Sequence, residues 1–263
     1  MANSPRRKRS PGWVPEQHGA WAMITLPALT GAVLGGFSWV HLPLLLFWWV
    51  GYFFFQAAAL WLKSHRRAKY FPPVRAYGLA MVPFGVATAV MRPDLAAWAL
   101  AFAPLVGIAA RSAWDRTERS LLNDGATVLA ACLMVPVARA AGAGRPDLGW
   151  AWTWTVFAIE LAYFWGTVPH VKSLIRERDN PRFARFSLGY HVVVTLVVLV
   201  ATVAGTLGRT PLAGWLLVGL WLALCVRTVV MPRLQAGGRP LRPAVIGIVE
   251  VAFSSAITLA LMV

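Results

Sequence analysis

Nine stretches of about twenty mostly apolar residues, separated by short loops, dominate this chain. That is the length an α-helix needs to cross the hydrocarbon core of a bilayer. Inside lipid every backbone amide must find its partner within the chain, so repeated stretches of this kind predict an all-α fold, a polytopic transmembrane helical bundle. The expected spans are 20–37, 39–62, 76–93, 95–112, 121–142, 149–169, 187–206, 212–231 and 243–262. Apolar residues make up 58% and charged residues 13% of the chain, against roughly a quarter charged in ordinary soluble domains.

A formal net charge of +15 raises the question of nucleic acid, and the distribution of the charge answers it. Nucleic-acid binders gather Lys and Arg on a solvated face or arm. Here 21 of the 25 Lys and Arg lie in the N-terminal tail or in and beside the loops after spans two, four, six and eight. That bias puts the N-terminus in the cytoplasm and the C-terminus on the far side. It makes the lipid bilayer the first partner and argues against nucleic acid. Residues 1–19, with Arg6, Arg7, Lys8 and Arg9, carry no small-residue cleavage site after a short apolar core. They read as a cytoplasmic tail held near anionic headgroups, ahead of a single transmembrane domain, 20–263. Cys132 and Cys225 both fall within spans and lack metal-ligand spacing, so they are expected to be inert thiols and no metal site is expected.

Two of the basic loops resemble each other. Lys63-Ser64, followed by Arg67, Lys69 and Pro72, recurs 109 residues later as Lys172-Ser173, followed by Arg176, Arg178 and Pro181. These loops follow spans two and six, so the repeat unit would be four helices in the same orientation, a parallel repeat.

Three acids lie within spans: Asp124 near a basic end, Glu160 about midway along span six, and Glu250 about a third of the way into span nine. A charge at the bilayer centre costs at least about 2.5 kcal/mol, so such residues turn inward and take partners. Arg116 and Arg119 are the candidates for Asp124, and Arg227 for Glu250. Glu160 has no basic residue at its depth, so it is protonated or faces water. His18, His65, His170 and His191 all fall on or near the cytoplasmic side, and His41 on the other. Imidazoles gathered with Lys and Arg can hold phosphate, relay protons or ligate haem or metal. The densest polar group is His170, Lys172, Ser173, Arg176 and Arg178, followed by Tyr190 and His191. Arg binds phosphate bidentately and helix N-termini add amide donors, so this group reads as an anion site and not as topology alone. Glu177 and Asp179 are expected to order its loop through salt bridges. A phosphate-binding Gly-rich loop, a His-Glu-x-x-His run and a nucleophile elbow are absent, which argues against an ATP-driven pump or a zinc protease.

Residues 15–23 (Pro-Glu-Gln-His-Gly-Ala-Trp-Ala-Met), 119–124 (Arg-Ser-Leu-Leu-Asn-Asp) and 170–178, together with Tyr190-His191, resemble the YwiC-like family of bacterial integral membrane proteins. The resemblance runs over nearly the whole chain and implies a multi-pass protein of the bacterial cytoplasmic (inner) membrane. The architecture is also similar to that of UbiA-type intramembrane prenyltransferases, whose Asp-rich motifs after spans two and six hold a diphosphate through magnesium. This chain departs from that pattern. The first loop, 63–70, has no acid, and the second has only Glu177 and Asp179, too few oxygen ligands for two magnesium ions.

The candidate ligand-binding residues are therefore His18, Lys63, Arg67, Asn123, Asp124, His170, Lys172, Ser173, Arg176, Arg178, Tyr190 and His191, with Glu160 and Glu250 as intramembrane acids. The expected function is a cytoplasm-facing polar cavity for an anionic lipid or isoprenoid-phosphate-like ligand, with or without group transfer. A proton-coupled secondary transporter and a haem- or quinone-binding redox component are the alternatives. The residues name no cofactor, no reaction and no oligomeric state.

Overall fold

The computed structural model describes residues 12–15, 20–144, 149–236 and 241–263. The basic tail and His18 lie outside these. The described residues form ten α-helices: α1 (Ala20–Gly35), α2 (His41–Lys63), α3 (Phe71–Met91), α4 (Ala99–Trp114), α5 (Leu121–Cys132), α6 (Met134–Ala141), α7 (Trp150–Ile175), α8 (Pro181–Val203), α9 (Pro211–Ala236) and α10 (Pro243–Met262). Short 3₁₀ turns at Ala68–Tyr70 and Pro93–Trp98 lead into α3 and α4. Among the described residues there is no strand.

Seven helical segments are long and apolar enough to cross a membrane, with α5 and α6 counted as one, Leu121–Ala141. The protein is a multi-pass helical membrane bundle. Its outward surface is apolar, with Leu100, Val90 and Val203 among the most exposed side chains, a surface that water would not tolerate over such an area. Of the two other expected spans, α1 has only 16 residues. Helix α7 has 26, but its tryptophans, threonines and Glu160 lower its hydropathy.

Prolines explain where the helices depart from the expected ends. Span three was placed from residue 76, yet α3 begins at Phe71 with proline in its first turn, where the missing N–H has no partner to lose. Span seven was placed from 187, yet α8 begins at Pro181, capped by Asn180, whose side chain accepts from the amides of Arg182 and Phe183. Span five is broken at Leu133, because Pro136 cannot donate to the carbonyl of Cys132. Helix α7 runs past Pro169 to Ile175, so His170, Lys172 and Ser173 belong to its last turns and not to a loop.

The chain divides into two compact units. Of the described residues, unit 1 takes 12–15 and 39–126, hence α2, α3, α4 and the start of α5. It is held largely by rings: Phe53 against Tyr77 between α2 and α3, and Trp48 edge-on to Phe102 between α2 and α4. Unit 2 takes 20–38 and the described residues from Thr127 onward. Its core joins Leu34, Val135, Val156, Tyr163, Leu217, Trp221 and Ile257 from five helices.

Within unit 2, α1 lies against α6 through Gly31 and Gly35, a small-xxx-small pair of the kind that lets membrane helices approach closely. A Cβ at Gly31 would sit 2.2 Å from the carbonyl oxygen of Val135, and one at Gly35 2.5 Å from that of Arg139. Gly31→Ala should therefore lower thermal stability in detergent by about 1–3 kcal/mol, the usual range for overpacking. Gly51→Ala, with nothing within 4 Å, should leave it unchanged.

Candidate functional site

Unit 2 encloses a polar group built from four helices. Arg227 of α9 and Glu250 of α10 form a buried ion pair, with Nη1 2.5 Å from Oε1 and 2.6 Å from Oε2. Both side chains are less than a tenth exposed. The guanidinium also stands over the ring of Phe253 at 5.3 Å, a cation–π contact that strengthens where water is absent. Tyr163 of α7 donates its hydroxyl to the backbone carbonyl of Glu250 at 2.8 Å and lies 3.1 Å from Oε2. His191 of α8 donates from Nδ1 to the carbonyl of Ser187 at 2.7 Å. That leaves its Nε2 lone pair for Arg227 Nη2, 3.4 Å away, and sets the tautomer.

His170 completes the group. Its ring lies edge to face with that of His191, centroids 6.2 Å apart. It is fully buried, and neither ring nitrogen has a hydrogen-bond partner among the described residues. Ser187 Oγ and Arg227 Nε are likewise buried without partners. Buried polar atoms in native structures are almost always satisfied, so each such atom calls for an explanation.

Helical spacing places these residues. Glu160, Tyr163 and His170 stand three and seven residues apart on α7, and Ser187 and His191 four apart on α8, so each set shares one helix face. Gly166 lets α8 come close: a Cβ there would lie 2.8 Å from the ring of Tyr190 and 3.2 Å from His191 Nε2. Tyr190 donates its hydroxyl to the carbonyl of Ala162 at 2.8 Å, and Ser173 Oγ donates to that of His170 at 2.7 Å.

Lys172 is half-buried one turn nearer the basic end, while Arg176, Arg178, Arg182 and Arg185 are exposed there. The Arg178–Asp179 contact is long at 3.7 Å and exposed, and Glu177 accepts from Asn180 Nδ2 at 3.0 Å. The loop is thus ordered mainly by the Asn180 cap, and salt bridging adds little.

The remaining described ligand candidates, Lys63, Arg67, Asn123 and Asp124, fall in unit 1. Lys63 is paired with Glu118 at 2.9 Å, and the carbonyl of Glu118 accepts from Asn123 Nδ2 at 2.8 Å. Asp124 follows in the first turn of α5, its amide bonded to the carbonyl of Ser120. Arg67 is exposed beyond a left-handed pair, His65 and Arg66. Arg66 rests over the indoles of Trp61 and Trp114. The two loops share one local feature of the proposed repeat, since Ser64 Oγ donates to the carbonyl of Trp61 as Ser173 does to that of His170. Positive φ at His65 and Arg66 has no counterpart in the second loop.

Tyr163, Ser187 and Arg227 were not among the candidate ligand residues. Arg227 was named only as a partner for Glu250, and that pairing is present. The signal for Tyr163 and Ser187 was their helical spacing from Glu160 and His191.

The family model for YwiC-like proteins matches residues 14–139. A Bacillus subtilis protein, described as uncharacterized protein YwiC, is 36% identical over 181 residues, 69% of this chain and 74% of the relative. The chain belongs to the YwiC-like family. An uncharacterized protein of Haemophilus influenzae is 27% identical over 195 residues, 72% of this chain and 78% of the relative. No solved structure matches. The match to the YwiC-like family model covers α1 to α6 up to Arg139, and the polar group of α7 to α10 lies beyond it.

Removing one partner of a buried ion pair strands the other charge, at a cost of about 3–5 kcal/mol. Arg227→Met and Glu250→Leu should each lower the thermal midpoint in detergent sharply. The double variant should recover most of the loss, and additive losses in the double variant would show that the two residues act separately.

Proposed function

We propose that this YwiC-like protein recognises a phosphate-bearing lipid, an anionic phospholipid or an isoprenoid phosphate, at the basic end of unit 2, in the bacterial cytoplasmic membrane. One observation carries the reading: buried donors without partners on His170, Ser187 and Arg227 lie beneath a surface of Lys172, Arg176, Arg178, Arg182 and Arg185. Glu250 neutralises Arg227, so attraction for an anion comes from the surface residues, and the buried groups supply hydrogen bonds. Arg and Lys select an anion, and Arg suits phosphate through its planar fork. The apolar exterior accommodates a chain bearing that phosphate.

Purification in mild detergent followed by native mass spectrometry and lipid extraction tests this reading. One phospholipid or polyprenyl phosphate should be retained per chain, and extraction tells the two sources apart. A hydrogen bond to a charged group is worth about 1.5–3 kcal/mol, and 1.4 kcal/mol is tenfold in affinity. Occupancy should therefore fall about tenfold or more in Lys172→Ala and in Arg176→Ala, with thermal stability unchanged. Full retention in both variants would overturn the proposal.

A further inference from the structure

Glu160 stands apart from the polar group just described. It is 1% exposed, on the eleventh residue of α7. Its Oε1 accepts from Thr30 of α1 at 2.7 Å and, weakly, from Thr258 of α10 at 3.5 Å. Its Oε2 is buried with no partner among the described residues. No basic side chain pairs with it among the described residues, in contrast to Glu250.

We propose that Glu160 is a reversible proton-binding site within the membrane. Two opposed influences meet at this carboxyl. The surrounding core, with Leu34, Cys132 and Val156, disfavours an unpaired charge by several kcal/mol, which favours the acid. Two threonine hydroxyls turned toward one oxygen favour the anion, and the acid's O–H finds no acceptor at Oε2. Neither state is fully satisfied, the condition under which a proton exchanges instead of staying fixed. Protonation places hydrogen on Oε2 and leaves the Thr30 bond to Oε1 in place; deprotonation returns that proton to water.

Thr30 lies five residues before the end of α1 and Thr258 four before the end of α10, about 6–8 Å along each helix. The titratable and charged groups packed around Glu160 are few. Cys132 of α5 lies in the same core. Tyr163 stands one turn along α7 and links to the Glu250–Arg227 pair between α10 and α9. His191 of α8 lies beyond that pair. Arg139 of α6 is engaged two turns the other way, at Thr153 and the carbonyl of Gly149. Helix α1 contributes Thr30, which does not titrate.

Dicyclohexylcarbodiimide, which adds to protonated carboxyls in apolar surroundings, tests the proposal on the full chain in lipid. A single adduct is expected, mapped by peptide mass spectrometry to Glu160 in the natural protein. Its yield should fall by up to tenfold per pH unit once the carboxyl ionises, and Glu160→Gln should abolish it. Because the mapping is done on the natural chain, it stands even if that variant folds poorly. An adduct at Glu250 or elsewhere, no adduct at any pH, or a yield indifferent to pH would overturn the proposal. Protection by sodium ions at constant pH would overturn it in favour of a metal cation.

Discussion

The contact between Arg227 and Glu250 is the point on which the geometry of unit 2 turns. Lipid tails are as apolar as the helix faces, so the hydrophobic effect does little to hold membrane helices together. What holds them is close packing and polar contact, and in unit 2 both are local. The ion pair sets the rotation of α9 against α10, because both carboxylate oxygens lie within 2.6 Å of one guanidinium nitrogen. Tyr163 then ties α7 to the same carboxylate, and His191 ties α8 to the same guanidinium. Four helices are registered through one buried charge pair. Helix α1 joins by the other means, its glycines set against the backbone of α6.

Helix α7 shows what that arrangement asks of a sequence. It carries Thr153, Glu160, Tyr163, His170 and Ser173 among its buried residues, and it ranks below its neighbours in hydropathy for that reason. A polar face costs little where it meets the polar faces of α8, α9 and α10, so the buried side of this helix carries polar residues. Hydropathy averages over the inward and outward sides of a helix, and it underrates one whose inward side is polar.

That distinction explains how much was legible in the sequence. The spans were readable because lipid sets their length, and their ends slipped where proline capped a helix, as at Pro72 and Pro181, or failed to stop one, as at Pro169. The pairing of Arg227 with Glu250 was readable because a charge inside a span demands an opposite charge at similar depth. Tyr163, Ser187 and Thr30 gave no such demand, since a neutral hydroxyl carries no charge that calls for an opposite one at its depth. Lys63 read as an open phosphate ligand, but Glu118, more than fifty residues on, supplies its partner, and no local pattern announces a contact made by loop geometry. Prediction from periodicity recovers faces, and the meeting of faces depends on helix rotation.

Unit 2 therefore holds two buried carboxylates under different rules. Glu250 has an arginine, a tyrosine and a position in a hydrogen-bonded chain, and to move its charge would disturb four helices at once. Glu160 has only hydroxyl donors, on α1 and α10, and no charge to answer its own. In a low-dielectric interior a paired acid is fixed by its partner, and an unpaired acid is governed by the supply of protons. Tyr163, one turn from Glu160 on α7, is bonded to Glu250, and Thr258, which reaches Glu160, lies two turns beyond Glu250 on α10.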